Sequence, residues 1–234
     1  MKILLSIVTL VLALAVLSSC ENTDQTAVSQ AQACLDKATT GPAASSCVAL
    51  LGSLQSPDAY LIKCSAHFIS QGFTTARFVT AYNALTSTKA GTNATAASMS
   101  FMSFSATAGA DGSLATLADC QKSNVPSLNR LAVLTQLATT LAEVAKSLAP
   151  GLAYDPAAGF PPAAIANAIA NFTTGGGDPA TLGTTAIAAN LAYCATGSSF
   201  QTSSICTTLG ASVSSGATPA AIGTALLAQL TKTP

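Results

Sequence analysis

Apolar residues in this chain recur at helical spacing between recognisable start and stop signals, and the pattern predicts an all-α fold. The clearest stretch runs from about Pro126 to Ala149. There Leu131, Leu134, Leu137, Leu141, Val144 and Leu148 share one face, and Arg130, Gln136, Glu143 and Lys146 lie largely off it. Pro150-Gly151 ends it. Further helices are expected near 27–39, 43–54, 57–71, 74–87, 94–107, 112–122, 162–172, 179–195, 199–214 and 219–231. The segment 94–107 fits least well, because Thr, Ser and Phe dilute its pattern, and Phe101 and Phe104 suit a strand equally.

Helix starts are marked by a capping residue followed by proline, at Ser56-Pro57, Asp155-Pro156, Asp178-Pro179 and Thr218-Pro219. The side-chain oxygen can accept from an orphan amide, and proline suits the first helical position. The stretch Asp178-Pro179-Ala180-Thr181-Leu182-Gly183-Thr184 is similar to Thr218-Pro219-Ala220-Ala221-Ile222-Gly223-Thr224, and Pro162-Ala163-Ala164-Ile165-Ala166 echoes both. Two readings stand: a helical-repeat array, or alanine-rich helices that share a start signal.

The first residues follow a different pattern. Met1-Lys2 is a minimal positive start, and Ile3–Leu17 is apolar except for Ser6 and Thr9. That run suits a signal-peptide core and is short for a transmembrane helix. It ends in Leu17-Ser18-Ser19-Cys20, which resembles the lipobox of bacterial lipoproteins. The resemblance implies cleavage before Cys20, diacylglycerol on its thiol and an acyl chain such as palmitate on its amine. Two or more chains anchor stably where one does not. The expected organisation is a signal peptide at 1–19, a tether at 20–26, a helical region at 27–149, a Pro/Gly connector at 150–162 and a second helical region at 163–234. That division gives a disulfide-stapled bundle or irregular array in two lobes. The residue after the lipidated cysteine is Glu21, not the aspartate that favours inner-membrane retention in enteric bacteria, so an outer-membrane location is preferred.

Composition narrows the function classes. Cleavage leaves about 215 residues with eight basic and nine acidic side chains, so no basic field exists to attract nucleic acid. Charged residues make up 8% of the chain, well below the roughly 25% of ordinary soluble domains. Six cysteines remain beyond Cys20, an even number that reads as three bridges in an exported chain. Six cysteines allow 15 pairings, among which the sequence does not choose; proximity and helix-hairpin geometry favour Cys34–Cys47, Cys64–Cys120 and Cys194–Cys206.

Candidate chemistry is sparse. His67 is the only histidine, three residues after Cys64, and one histidine among oxidised cysteines is poor zinc-site material. It has the chemistry of a general base, yet Gly-x-Ser-x-Gly and Ser-x-x-Lys motifs are both absent. The acids are thinly spread, Asp155 and Asp178 suit helix caps, and the spacing of Asp111 to Asp119 fits no calcium loop. Thr174-Gly175-Gly176-Gly177-Asp178 lacks the lysine of a phosphate loop and reads as a connector. No cofactor is called for. The expected function is a lipid-anchored envelope protein, non-enzymatic, that binds a protein partner or has a structural surface role. The alternative is a lipid-anchored hydrolase or a carrier of an apolar ligand.

Overall fold

The computed structural model describes residues 23–77, 79, 94–105, 109–194, 201, 204–216 and 218–231. Cys20, Glu21 and most of the helix expected at 74–87 lie outside them. The protein is all-α. The helices with described bounds are α1 (Thr23–Leu35), α2 (Gly41–Ala49), α3 (Pro57–Ser70), α4 (Ala94–Met102), α5 (Gly109–Lys122), α6 (Pro126–Leu148), α7 (Pro162–Ala170), α8 (Pro179–Tyr193), α9 (Ser204–Ser215) and α10 (Pro219–Leu230). Among the described residues the only β-type pairing is one isolated bridge, Asp155 to Gly159.

The helix starts follow the local chemistry. Ser56 Oγ accepts from the Ala59 amide, Asp178 from Ala180 and Thr181, and Thr218 Oγ1 from Ala221, with proline next in each case. Asp155-Pro156 differs. Asp155 Oδ1 accepts from the Ala157 amide in a tight turn, which closes through Gly159 at φ 76°. Pro161-Pro162 then starts α7. Thr23–Thr26, expected in the tether, form the first turn of α1 instead.

The long helix α6 is the centre of the molecule and packs against α4, α5, α7 and α8. Of its expected apolar face, Leu134, Leu137, Leu141 and Val144 are buried and Leu131 and Leu148 half-buried, and Ala132, Thr135, Ala138, Thr139 and Ala142 are buried as well. Small residues on the remaining sides let neighbours approach closely. The largest apolar cluster draws on α4, α6, α7, α8, α9 and α10 together with Phe160. This core includes residues on both sides of the 150–162 connector. The connector carries its own packing groups: Phe160 is buried, and Leu152 and Tyr154 pack against the same cluster.

A smaller cluster unites α1, α2 and α3 around Leu35, Leu51 and Ile62. Between the two, Phe68, Phe73 and Phe104 meet edge to face with ring centroids 5.2–5.7 Å apart. The helix α4, where a strand was an equal alternative, is buried from Ala96 to Phe101. It is recognisable as a helix by its setting rather than by any polar face. Three bridges staple these layers: Cys34–Cys47 (α1 to α2), Cys64–Cys120 (α3 to α5) and Cys194–Cys206 (α8 to α9), with Cα separations of 5.4, 4.9 and 5.3 Å.

The two copies of the repeated segment pack on each other. Gly183 of α8 lies against the first helical hydrogen-bonding turn of α10, at the Pro219 carbonyl and the Gly223 amide. Gly223 lies against the Pro179 carbonyl and the Gly183 amide in the same way. This reciprocity puts the starts of the two helices side by side. The repeat is therefore structural, as a face-to-face pair rather than a stacked array.

Candidate functional site

The face of α3 that carries Lys63, Ala66, His67 and Ser70 lines a cleft of about 230 Å³ with Ser45 and Val48 of α2 and Asp119 of α5. The Cys64–Cys120 bridge fixes its geometry. His67 follows Cys64 by less than one turn, and Asp119 directly precedes Cys120. Locking those two Cα atoms 4.9 Å apart brings His67 Nε2 to 3.1 Å from Asp119 Oδ2. The His67 side chain keeps 36% of its surface exposed and Asp119 22%, so solvent screens the pair.

Asp119 is hydrogen-bonded to the imidazole through Nε2. That is half of a nucleophile-activating relay. The other half is not assembled: Ser70 Oγ donates to the His67 carbonyl at 2.7 Å, and no serine hydroxyl is hydrogen-bonded to the ring among the described residues. Lys63 Nζ donates to the Leu54 carbonyl at 2.9 Å and sits over the Tyr60 ring, which Lys122 also approaches.

The chain matches no protein-family model, no curated protein and no solved structure.

The remaining sequence candidates fall elsewhere. The six body cysteines are all consumed in bridges. Among the described residues no three His, Cys, Asp or Glu side chains converge as metal ligands. Nor is any described helix long and apolar enough to cross a membrane. Cys20 lies outside the described residues.

Sequence reasoning missed the most elaborate polar centre, around Arg77. This guanidinium is 1% exposed. It donates to the carbonyls of Phe101 (2.8 Å), Ser103 (2.6 Å), Gln71 (2.6 Å) and Pro156 (3.2 Å), and to Tyr154 Oη (2.7 Å). The Phe73 ring lies under it at 4.1 Å. Tyr154 Oη in turn donates to the Gln71 carbonyl at 2.8 Å. Arg77 thus ties together the C-terminal ends of α3 and α4, where backbone dipoles favour a cation, and the 154–160 turn. Burial pushes the Arg77 pKa below its ordinary value, opposed by Tyr154 and Asp155. Burial pushes the Tyr154 phenol above its ordinary value, opposed by Arg77. Two glycines make the approach possible: at Gly72 and Gly159, both at positive φ, a methyl group would collide with the Pro156 and Ser100 carbonyls respectively.

Proposed function

We propose that this protein is a lipid-anchored component of the bacterial cell envelope, held on the outer membrane through acyl chains on Cys20 and acting by binding another envelope protein rather than by catalysis. The observation that carries the reading is Leu17-Ser18-Ser19-Cys20 at the end of an apolar run, with α1 starting three residues later. An anchor so close to the first helix keeps the body at the membrane surface. The three bridges support an oxidising compartment. The test is metabolic labelling with a clickable fatty acid followed by fractionation on a density gradient. The native chain takes up label and sediments with outer membrane, and Cys20→Ser does neither. Label on Cys20→Ser, or a native chain found wholly in the periplasm, overturns the reading.

One observation favours a second reading, a lipid-anchored hydrolase: the His67–Asp119 pair opens onto a cleft with Lys63 beside it. His67→Ala separates the two. Loss of any ester or amide hydrolysis that the native protein shows on a substrate panel supports the hydrolase, and unchanged turnover removes it.

A further inference from the structure

A second groove, of about 360 Å³, lies between α1 and α3. Its size is at the small end of ligand clefts, which run from ~300 to 1,000 Å³. Val28 and Leu61 are half-buried in it and Ile62 is its buried floor. Asp36 and Asp58 stand exposed on its rim from the two helices, with Gln32 donating to Asp36 Oδ1 at 2.6 Å. No basic side chain lines it.

The charge lining this groove is of one sign. Asp36 and Asp58 line it and no basic side chain does, while Lys63, which follows Ile62, lines the other cleft and donates to the Leu54 carbonyl. Such a rim repels an anionic headgroup layer and attracts cationic side chains. Val28 to Asp36, the residue that follows α1, span about 12 Å at the rise of a helix, room for roughly two turns of a partner.

We infer that the α1–α3 groove docks an amphipathic, basic segment of a protein partner, with aliphatic side chains on Val28, Leu61 and Ile62 and Lys or Arg on Asp36 and Asp58. This is the helix-in-groove mode of recognition, with charge setting partner choice and approach. The inference rests on the protein-binding reading above and gives the partner its chemistry.

The test uses the full acylated protein in phosphatidylcholine nanodiscs. The probes are two fluorescent helical peptides with identical leucine spacing, one with lysine and one with glutamate at the polar positions. The Leu/Lys peptide is expected to bind, with affinity falling as salt is raised, and to bind at least tenfold more weakly to Asp36→Lys/Asp58→Lys. Because Asp58 lies in the first turn of α3, Asp36→Lys alone is measured too, and circular dichroism checks that both variants keep native helix content. Asp36→Lys alone is expected to lose part of the affinity. Equal binding of the Leu/Glu peptide, or unchanged affinity in both variants, overturns the inference. So does attraction of the native protein, but not of the variants, to anionic phosphatidylglycerol vesicles. Intact mass on the same sample reports acylation. An acylated protein that ignores the peptide sinks the groove and leaves the anchor, while an unacylated protein that binds it does the reverse.

Discussion

Gly183 and Gly223 face each other across the α8–α10 interface, each seated against the partner's first turn where no Cβ fits. This reciprocal contact joins the two halves of the repeated segment and fixes α10 in the core. Gly183→Ala or Gly223→Ala drives a methyl group into a backbone carbonyl that cannot swing away. Alanine gains about 1 kcal/mol of helix propensity, but overpacking of a tight interface costs about 1–3 kcal/mol. The expected net effect is destabilisation in chemical denaturation. Gly210→Ala is the control, because a Cβ there meets only Asn190 Oδ1 at 3.9 Å. It should be neutral or stabilising by up to about 1 kcal/mol. If all three substitutions behave alike, the close pairing of α8 and α10 is wrong.

Arg77→Met removes five donors from the space between α3, α4 and the 154–160 turn, and leaves buried carbonyls without partners. A loss of about 3–5 kcal/mol is expected, as for breaking a buried charged network. Arg77→Lys should recover only part of it, since an ammonium has three donors and no planar fork. Equilibrium urea unfolding distinguishes these outcomes. A loss under about 1 kcal/mol for Arg77→Met would leave the guanidinium no structural role.

Alkaline pH probes the same centre through Tyr154. Its folded-state pKa is raised by burial above the ordinary 10.0, so the folded state resists losing the phenolic proton. The corresponding stability is fully present below pH 10 and is lost as pH rises through the higher folded value. Tyr193 shifts the same way for the same reason. The melting temperature should therefore fall on the alkaline side, and less steeply in Tyr154→Phe, which starts lower because it gives up the hydrogen bond to Gln71. An unchanged alkaline slope in that variant would argue against a buried Tyr154.

At the acid end Asp178 has the opposite sign. Its hydrogen bonds to Thr181 and Ala180 hold the carboxyl below its ordinary 3.8, so its contribution is present above that value and disappears as pH falls through the lower folded pKa. Asp178→Asn keeps a capping oxygen and should flatten the acid limb of the stability curve. Asp178→Ala should lower the melting temperature at neutral pH. Identical curves for the two variants at all pH values would contradict the cap.

Much of this architecture was legible because it is local. Ser56, Asp178 and Thr218 announce helices through their own side chains, and the leucine period of 131–148 locates α6. Cys34–Cys47 and Cys194–Cys206 follow from chain proximity across helix hairpins, whereas Cys64–Cys120 closes a separation of 56 residues. The pairing of Cys64 with Cys120 also implies the His67–Asp119 contact, since each residue sits within a turn of a bridged cysteine. What stayed hidden is non-local. Arg77 binds carbonyls from three segments, two of them distant in the chain, and a carbonyl leaves no mark in a sequence. The helix α4 is buried although Ser98 and Ser100 break its apolar pattern, because packing on α6 and α7 overrides periodicity. Asp155-Pro156 mimics a helix start, and only Gly159 and Pro161-Pro162 downstream turn it into a tight turn. The connector is marked by its prolines and glycines, and that pattern does not reveal that Phe160 is buried in the core.

The bridges are unequal. Cys64–Cys120 closes a chain separation of 56 residues, against 13 and 12 for the other two. Loop-closure entropy then assigns it about 4 kcal/mol and each of the others about 3 kcal/mol. Paired Cys→Ala replacements should follow that order and, for Cys64 and Cys120, should also part His67 from Asp119. The reverse order would place their effect in native packing rather than in the unfolded chain.

The central claim is that Cys20 carries lipid while the other six cysteines pair among themselves. Intact mass spectrometry of the protein extracted from membranes, alkylated without reduction, tests both halves together. The expected mass is that of a chain beginning at Cys20 plus two or three acyl chains, with no alkyl group added. A chain that retains residues 1–19, or one that begins elsewhere, carries no lipid and takes alkyl groups on several cysteines, would contradict the account.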